Sequence, residues 1–220
     1  MAPRIRTQAI VSLLLCGGPS LPVQALAQPT QSASSNERPL SAWTLLGIDV
    51  DVQNRWRGVV RVGHLGDIDS RVLVTDLIFV ARPAMHLLVG YVYVQPTAAD
   101  TAGTTLARAG ATWVPLRRRL AIDNRFLFER RSNKVTSTSI RGRSRVRISW
   151  SSPGPLTPTV FGSIEAIAAT GAGLVEQRIQ LGVAKSVGRL SVEAYWLQRR
   201  IRDRPAFNGL GLTAFGRIGS

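Results

Sequence analysis

From Ser41 to the C-terminus the chain reads as short runs in which apolar and polar residues alternate, separated by turn-forming residues, and no stretch carries a helical stripe. The runs predict strands at 41–50, 55–66, 70–81, 84–95, 104–115, 118–131, 138–150, 156–168, 173–186, 189–200 and 206–217. The expected fold class is therefore all-β. In the run 118–131, Leu120, Ile122, Asn124, Phe126 and Phe128 share one face, and Ala121, Asp123, Arg125, Leu127 and Glu129 share the other. The next run, "RGRSRVRISW" at 141–150, sharpens the division. A step of two puts Arg141, Arg143, Arg145 and Arg147 on one face, opposite Val146, Ile148 and Trp150. Later runs repeat it: Glu165 alternates with Ile164 and Ala166, Glu176 and Arg178 with Val175 and Ile179, and Glu193 with Val192 and Ala194. The second run sets Arg55, Arg57 and Arg61 against Trp56, Val60 and Val62. The third and fourth are apolar on both faces and leave Asp76 and His86 unoriented.

A wall with one face for lipid and one for a polar interior predicts a single antiparallel up-and-down transmembrane β-barrel. The connections agree, because tight ones (around 51–54, 82–83, Pro115 and 187–188) tend to alternate with longer, more polar ones at 96–103, 132–138 and 202–205. The segment 151–155 is long where a short turn is expected. Eleven runs conflict with the even strand number usual in bacterial barrels, so the expectation is about twelve strands, with ten as the alternative. A soluble periplasmic β-sandwich binding protein would also alternate. Against it stand the length of the runs, the opposite charges on consecutive runs, and the use of arginine rather than lysine on the polar face, which suits rigid pairing with carboxylates.

The N-terminus adds a compartment. Arg4 and Arg6, the apolar stretch 9–16 and the small-residue site Ala25-Leu26-Ala27 have the form of a secretory signal peptide over 1–27, followed by a polar, serine-rich leader at 28–40 and a barrel at 41–217. Bulky Leu15 before Cys16 argues against a lipoprotein signal, and loss of 1–27 removes the one cysteine, so disulfides contribute nothing. The formal charge is +15, and it remains +13 once Arg4 and Arg6 are gone, which favours anionic partners. No apolar run after the signal reaches the roughly 18 residues of a membrane-crossing helix, a test that barrel strands escape.

Several stretches together resemble an uncharacterised group of Gram-negative outer-membrane β-barrel proteins described as a domain of unknown function. They are the Trp43 run, the run from Arg71 to Asp76, "VGYVYVQP" at 89–96, "IDNRFLFERR" at 122–131, the arginine run from Arg141, and Glu165 in the run after it. The resemblance, from about Trp43 to Phe215, implies the barrel and the outer membrane but no activity. The C-terminus departs from the usual aromatic ending, since Phe215 is followed by Gly216-Arg217-Ile218-Gly219-Ser220.

No catalytic residues, cofactor or metal site are expected. His64 and His86 are far apart and in no nucleophile or metal-ligand spacing, and neither a Gly-x-Ser-x-Gly elbow nor a His-Glu-x-x-His helix is present. The arginine run lacks the signature of a nucleic-acid module, and nucleic acid is not an expected partner. The expected lumen-lining residues are Arg125, Arg141, Arg143, Arg145, Arg147, Arg178 and Arg199, with Asp123, Glu129, Glu165, Glu176 and Glu193 beside them. Paired, they would close the interior as an ion-pair network; unpaired, they would bias a narrow channel toward anions. The expected partners are outer-membrane lipid and small anionic solutes, in a channel or in a structural or binding component of the envelope. A lipid-modifying hydrolase that gathers its residues from separate strands is the alternative.

Overall fold

A computed structural model of the protein describes residues 41–53, 55–98, 102–133, 138–152, 154 and 157–219. The signal peptide and leader expected at 1–40 lie outside the described residues. Eleven strands follow one another: β1 (Ser41–Gln53), β2 (Trp56–Leu65), β3 (Ser70–Arg82), β4 (Met85–Pro96), β5 (Thr104–Arg117), β6 (Leu120–Asn133), β7 (Ser139–Ser151), β8 (Thr159–Ala169), β9 (Gly173–Val187), β10 (Leu190–Ile201) and β11 (Phe207–Ile218). Each predicted run coincides with one strand, its bounds within about three residues. Alternation is the direct imprint of a two-sided wall, so the pattern found them all.

Neighbouring strands pair antiparallel, and the ring closes when β1 pairs with β11 in parallel, Ser41 opposite Gly209 and Val50 opposite Ile218. This closure corrects the expected twelve or ten strands to eleven. An even number follows only where the last pair is antiparallel; a parallel last pair permits an odd one.

An odd count places the first residue of β1 and the last of β11 at opposite ends of the barrel. The connections at 54–55, 83–84, 118–119 and 188–189 are tight and share the end where β11 finishes. Those at 66–69, 97–103, 134–138, 170–172 and 202–206 share the other, here called the loop end. The seven-residue connection 152–158 is the exception at the tight-turn end. Pro115, expected at a turn, lies inside β5, at the irregularity between Trp113 and Leu116 where the pairing with β6 slips. Proline lacks the N–H a regular ladder needs, and a bulge relieves that demand. The turn itself falls at Arg118-Arg119.

The outer surface is apolar. Leu46, Ile48, Val60, Val62, Leu77, Leu87, Val89, Phe126, Phe128, Ile140, Ile148, Ile164, Leu181, Leu210 and Leu212 all point away from the barrel and are exposed. Trp56, Trp113 and Trp150 are exposed too, and each stands close to a connection of the tight-turn end, with Trp56 against Phe79 at a ring separation of 4.9 Å. An apolar band with tryptophans at one rim is the surface expected of a wall in lipid. No described helix is long and apolar enough to cross a membrane; the strands carry the apolar band instead.

Candidate functional site

The expected lumen residues other than Asp123 line the interior cavity, and Asp123 is paired with Arg145. The interior they line is two-sided. From β6 to β10 it is charged, and from β2 to β5 it is largely apolar, with Val72, Val92 and Leu106 buried against Leu45, Leu65, Val74 and Val94. That apolar inner face is why the third and fourth runs showed no alternation.

A chain of ion pairs runs along the charged half. Arg141 on β7 donates to Glu129 on β6 at 2.8 Å, and Arg143 reaches the same carboxylate at 3.3 Å. Arg143 also grips Glu165 on β8 through Nε at 2.6 Å and Nη2 at 2.8 Å. The two-pronged match of guanidinium to carboxylate fixes both groups in one plane. Arg178 on β9 joins Glu165 at 3.4 Å to Glu176 at 2.5 Å, and Arg199 on β10 holds Glu176 at 2.7 and 3.1 Å. Arg199 then meets Asp67, whose other oxygen accepts the indole N–H of Trp43 at 2.7 Å. Glu129 and Glu165 are almost fully buried, and each is satisfied by more than one arginine. Burial of such acids is tolerable only with that many partners.

Asp67 lies in the β2–β3 turn, so this turn folds inward and ties the loop end of β2 and β3 to β10. The backbone N–H of Gly66 donates to the carbonyl of Ala42 at 3.0 Å, and Asp69 takes a left-handed φ of 42°. Nothing in a turn residue advertises an inward role, and sequence reasoning missed it.

A second missed pair is Arg108 on β5 with Asp76 on β3, joined by contacts of 2.6, 2.8 and 2.9 Å and buried inside the apolar half. Gly90, the partner of Asp76 across β3 and β4, makes room for it: a Cβ there would lie 2.0 Å from Asp76 Oδ1. Arg108 sits among alanines, glycine and threonine, where small residues on both faces hide the alternation. Smaller pairs join Arg61 to Asp49 at 3.4 Å, and Asp51 to both Arg57 at 3.4 Å and Arg217 at 2.8 Å.

Toward the tight-turn end, Arg147 on β7 crosses the interior to Glu193 on β10 with contacts of 2.8 and 3.2 Å, and its guanidinium lies 3.8 Å above the Phe161 ring. Phe161 packs with Trp43, Tyr195 and Leu197 in an inner apolar cluster.

In one place in the lumen two cations are set directly together. Arg125 on β6 and Arg145 on β7 are direct cross-strand partners. Like charges so placed repel. Arg145 turns to Asp123 at 2.8 Å, which leaves Arg125 with Glu165 at 3.9 Å, a carboxylate already held by Arg143 and Arg178. The Nε groups of Arg125 and Arg145, like those of Arg57, Arg61 and Arg141, are buried and have no protein hydrogen-bond acceptor among the described residues. Both arginines line a single cavity of about 1130 Å³ that also takes in Arg108, Arg143, Val59, Val74, Ile78 and Leu88 and opens toward the loops at Ala98, Ala102 and Arg204.

The two histidines do not meet. His64 follows the outward face of Val60 and Val62, with Nε2 3.6 Å from Asp69 at the loop end. His86 stands on the inward face beside Leu88, at the start of β4 near the tight-turn end. Among the described residues, no group of three or more His, Cys, Asp or Glu side chains is arranged to hold a metal ion.

No family model matches the chain, and no curated protein matches it. Among solved structures, the chain is similar to LpxR from Salmonella typhimurium, at 9% identity and a TM-score of 0.48, over 74% of this chain and 83% of that one.

Proposed function

We propose that the protein is an outer-membrane β-barrel whose lumen is a narrow, anion-preferring passage. The apolar band and the tryptophan rim support the membrane, and a signal at 1–27 would deliver the chain across the inner membrane. The observation that carries the anion preference is the Arg125–Arg145 pair, where two guanidinium groups face one cavity with a single acid, Asp123, bound closely to either. Fixed cations in a confined, partly apolar space lower the energy of an entering anion and raise that of a cation. The ion-pair chain from Arg141 to Asp67 matches four arginines with four acids, so selectivity is assigned to this pair rather than to the arginine run as a whole.

Planar-bilayer recordings of the folded barrel test the reading. Conductance steps are expected, with a reversal potential that favours chloride over potassium. Arg125→Ser with Arg145→Ser should move it toward neutrality. An absence of steps, or an unchanged reversal potential in that variant, overturns the proposal.

A further inference from the structure

In a ring of eleven strands, β2 stands five strands from β7 one way and six the other, so the two walls face each other across the lumen. The cavity between them has arginines on the β6–β7 side and a mainly aliphatic face on the other, which also carries Arg57, Arg61 and the Arg108–Asp76 pair. Arg125, Arg143 and Arg145 project from β6 and β7, whereas Val59, Val72, Val74, Ile78, Leu88, Val92 and Leu106 project from β2 to β5. A passage for small hydrated anions alone gains nothing from an inner wall of valines and leucines. Such a wall inside a lumen is also unlike the polar interior usual in barrels that span membranes. The volume, about 1130 Å³, exceeds the upper end of ordinary small-molecule sites and leaves space for a ligand longer than an inorganic ion.

Arg125 shares the cavity with its cross-strand partner Arg145 and with Arg143 and Arg108, and its ion pair among the described residues is with Glu165 at 3.9 Å. Arg143 is committed to Glu129 and Glu165, and Arg108 to Asp76. Arg125 keeps one long ion pair, to Glu165 at 3.9 Å, and Arg145 one close pair, to Asp123 at 2.8 Å, so the two residues line the cavity with a single close acid between them among the described residues. Guanidinium groups on two directly paired residues supply several N–H donors for the oxygens of a carboxylate or phosphate. An aliphatic tail on that head group would lie along the valine and leucine wall and leave water as it did so.

We infer that the lumen holds a site for an anionic amphiphile, a single aliphatic chain with a carboxylate or phosphate head, the head at Arg125 and Arg145 and the tail against β2 to β5. This rests on the reading of the lumen as an anion-preferring compartment and names the class of solute it takes.

Native mass spectrometry of the full barrel, released from neutral detergent, tests the site with octanoate, octyl phosphate, inorganic phosphate and octyl glucoside at equal concentration. Octanoate and octyl phosphate adducts are expected at least tenfold above those of inorganic phosphate and octyl glucoside, and the ratio of the first two reports which head is preferred. Arg125→Ser with Arg145→Ser should abolish the excess. Arg130→Ser with Arg200→Ser, which removes two outward-facing arginines, should leave it unchanged. Heat-dependent gel mobility checks that each variant is folded. Should the double serine variant fail to fold, Val74→Asn replaces it and is expected to weaken octyl phosphate tenfold without changing inorganic phosphate. Equal adducts for inorganic phosphate, or an excess that survives loss of both arginines or follows the outward pair, overturns the inference. A barrel that conducts chloride selectively but shows no octyl-chain excess retains the channel and loses the amphiphile site. One that binds octyl phosphate without conducting retains the site and loses the channel.

Discussion

Arg147 on β7 and Glu193 on β10 meet across the barrel interior at 2.8 Å, although β8 and β9 stand between their strands in the wall. The pair is a brace over the tight-turn half of the lumen, held in place by Phe161 beneath the guanidinium. Its two halves should have opposite effects on ion selection. Glu193→Ala leaves Arg147 to permeating ions and should strengthen anion preference; Arg147→Ala leaves Glu193 and should weaken it. A unit charge about 4 Å from an ion is worth about 1 kcal/mol even at the dielectric of bulk water, roughly fivefold in permeability ratio. Reversal potentials under a salt gradient measure both, and shifts of the same sign in the two variants would count against the brace lying on the ion's path.

Glu165 is the hub of the ion-pair chain, with Arg143 at 2.6 Å, Arg178 at 3.4 Å and Arg125 at 3.9 Å. Its side chain is 6% exposed. Replacement by Gln keeps the shape and removes the charge, so the three arginines lose their common partner. Breaking a buried pair from one side typically costs about 3–5 kcal/mol, because the remaining charge is left without compensation. Glu165→Gln should therefore lower the unfolding free energy of the barrel, measured by denaturant titration in lipid vesicles, by an amount of that order. Asp51→Asn, at an exposed contact with Arg217, should cost no more than about 1 kcal/mol. Comparable losses in the two variants would mean that burial does not set the value of these pairs.

The strands and the arginine wall were legible because both obey a period of two, which the chain records residue by residue. What was not legible depends on distant partners. Strand parity is decided by how β1 meets β11, and no local signal at Ser41 or Gly209 specifies a parallel pair. Asp67 reads as an ordinary turn residue, and its role appears only when the turn reaches Arg199 on β10. The inward direction of Asp76 was hidden because β3 and β4 are apolar on both faces, one toward lipid and one toward the lumen. The same arginine run supported either an open charged wall or a closed network; the acids that decide between them, Glu129, Glu165 and Glu193, sit on three other strands. Arg125 and Arg145, brought together by register, have one close acid between them among the described residues, Asp123.

Gly211 on β11 gives the Tyr195 ring a place to lie. A Cβ at that position would come 2.1 Å from two ring carbons, and the two residues are direct partners across β10 and β11. An aromatic ring covering a glycine in this way restores packing that the missing side chain would otherwise forfeit. Gly211→Ala should displace the ring and destabilise the barrel by about 1–3 kcal/mol, as overpacking does. In a Tyr195→Ala background the same substitution should cost much less. A double-mutant cycle by chemical denaturation reports the coupling, and additive losses would show that the ring does not depend on the glycine.

The parallel seam makes a prediction about covalent chemistry. Leu46 on β1 stands opposite Ala214 on β11, and both lie on the lipid face, clear of the ion-pair network. Adjacent strands are about 4.8 Å apart, within the range of a disulfide. Leu46→Cys with Ala214→Cys should cross-link under mild oxidation and produce a band that stays compact on a denaturing gel until reduced. The only natural cysteine is Cys16, in the expected signal peptide, so the product has one assignment once that peptide is removed. Leu46→Cys with Ile218→Cys is four positions out of register and should not cross-link. An antiparallel closure with twelve strands, or with ten, would put another strand between β1 and β11 or remove one of them from the seam, and the Leu46–Ala214 cross-link would then fail. Its appearance in the first pair alone would fix both the parity of the barrel and the register of the closing strands, on which the opposition of the arginine wall to the valine wall depends.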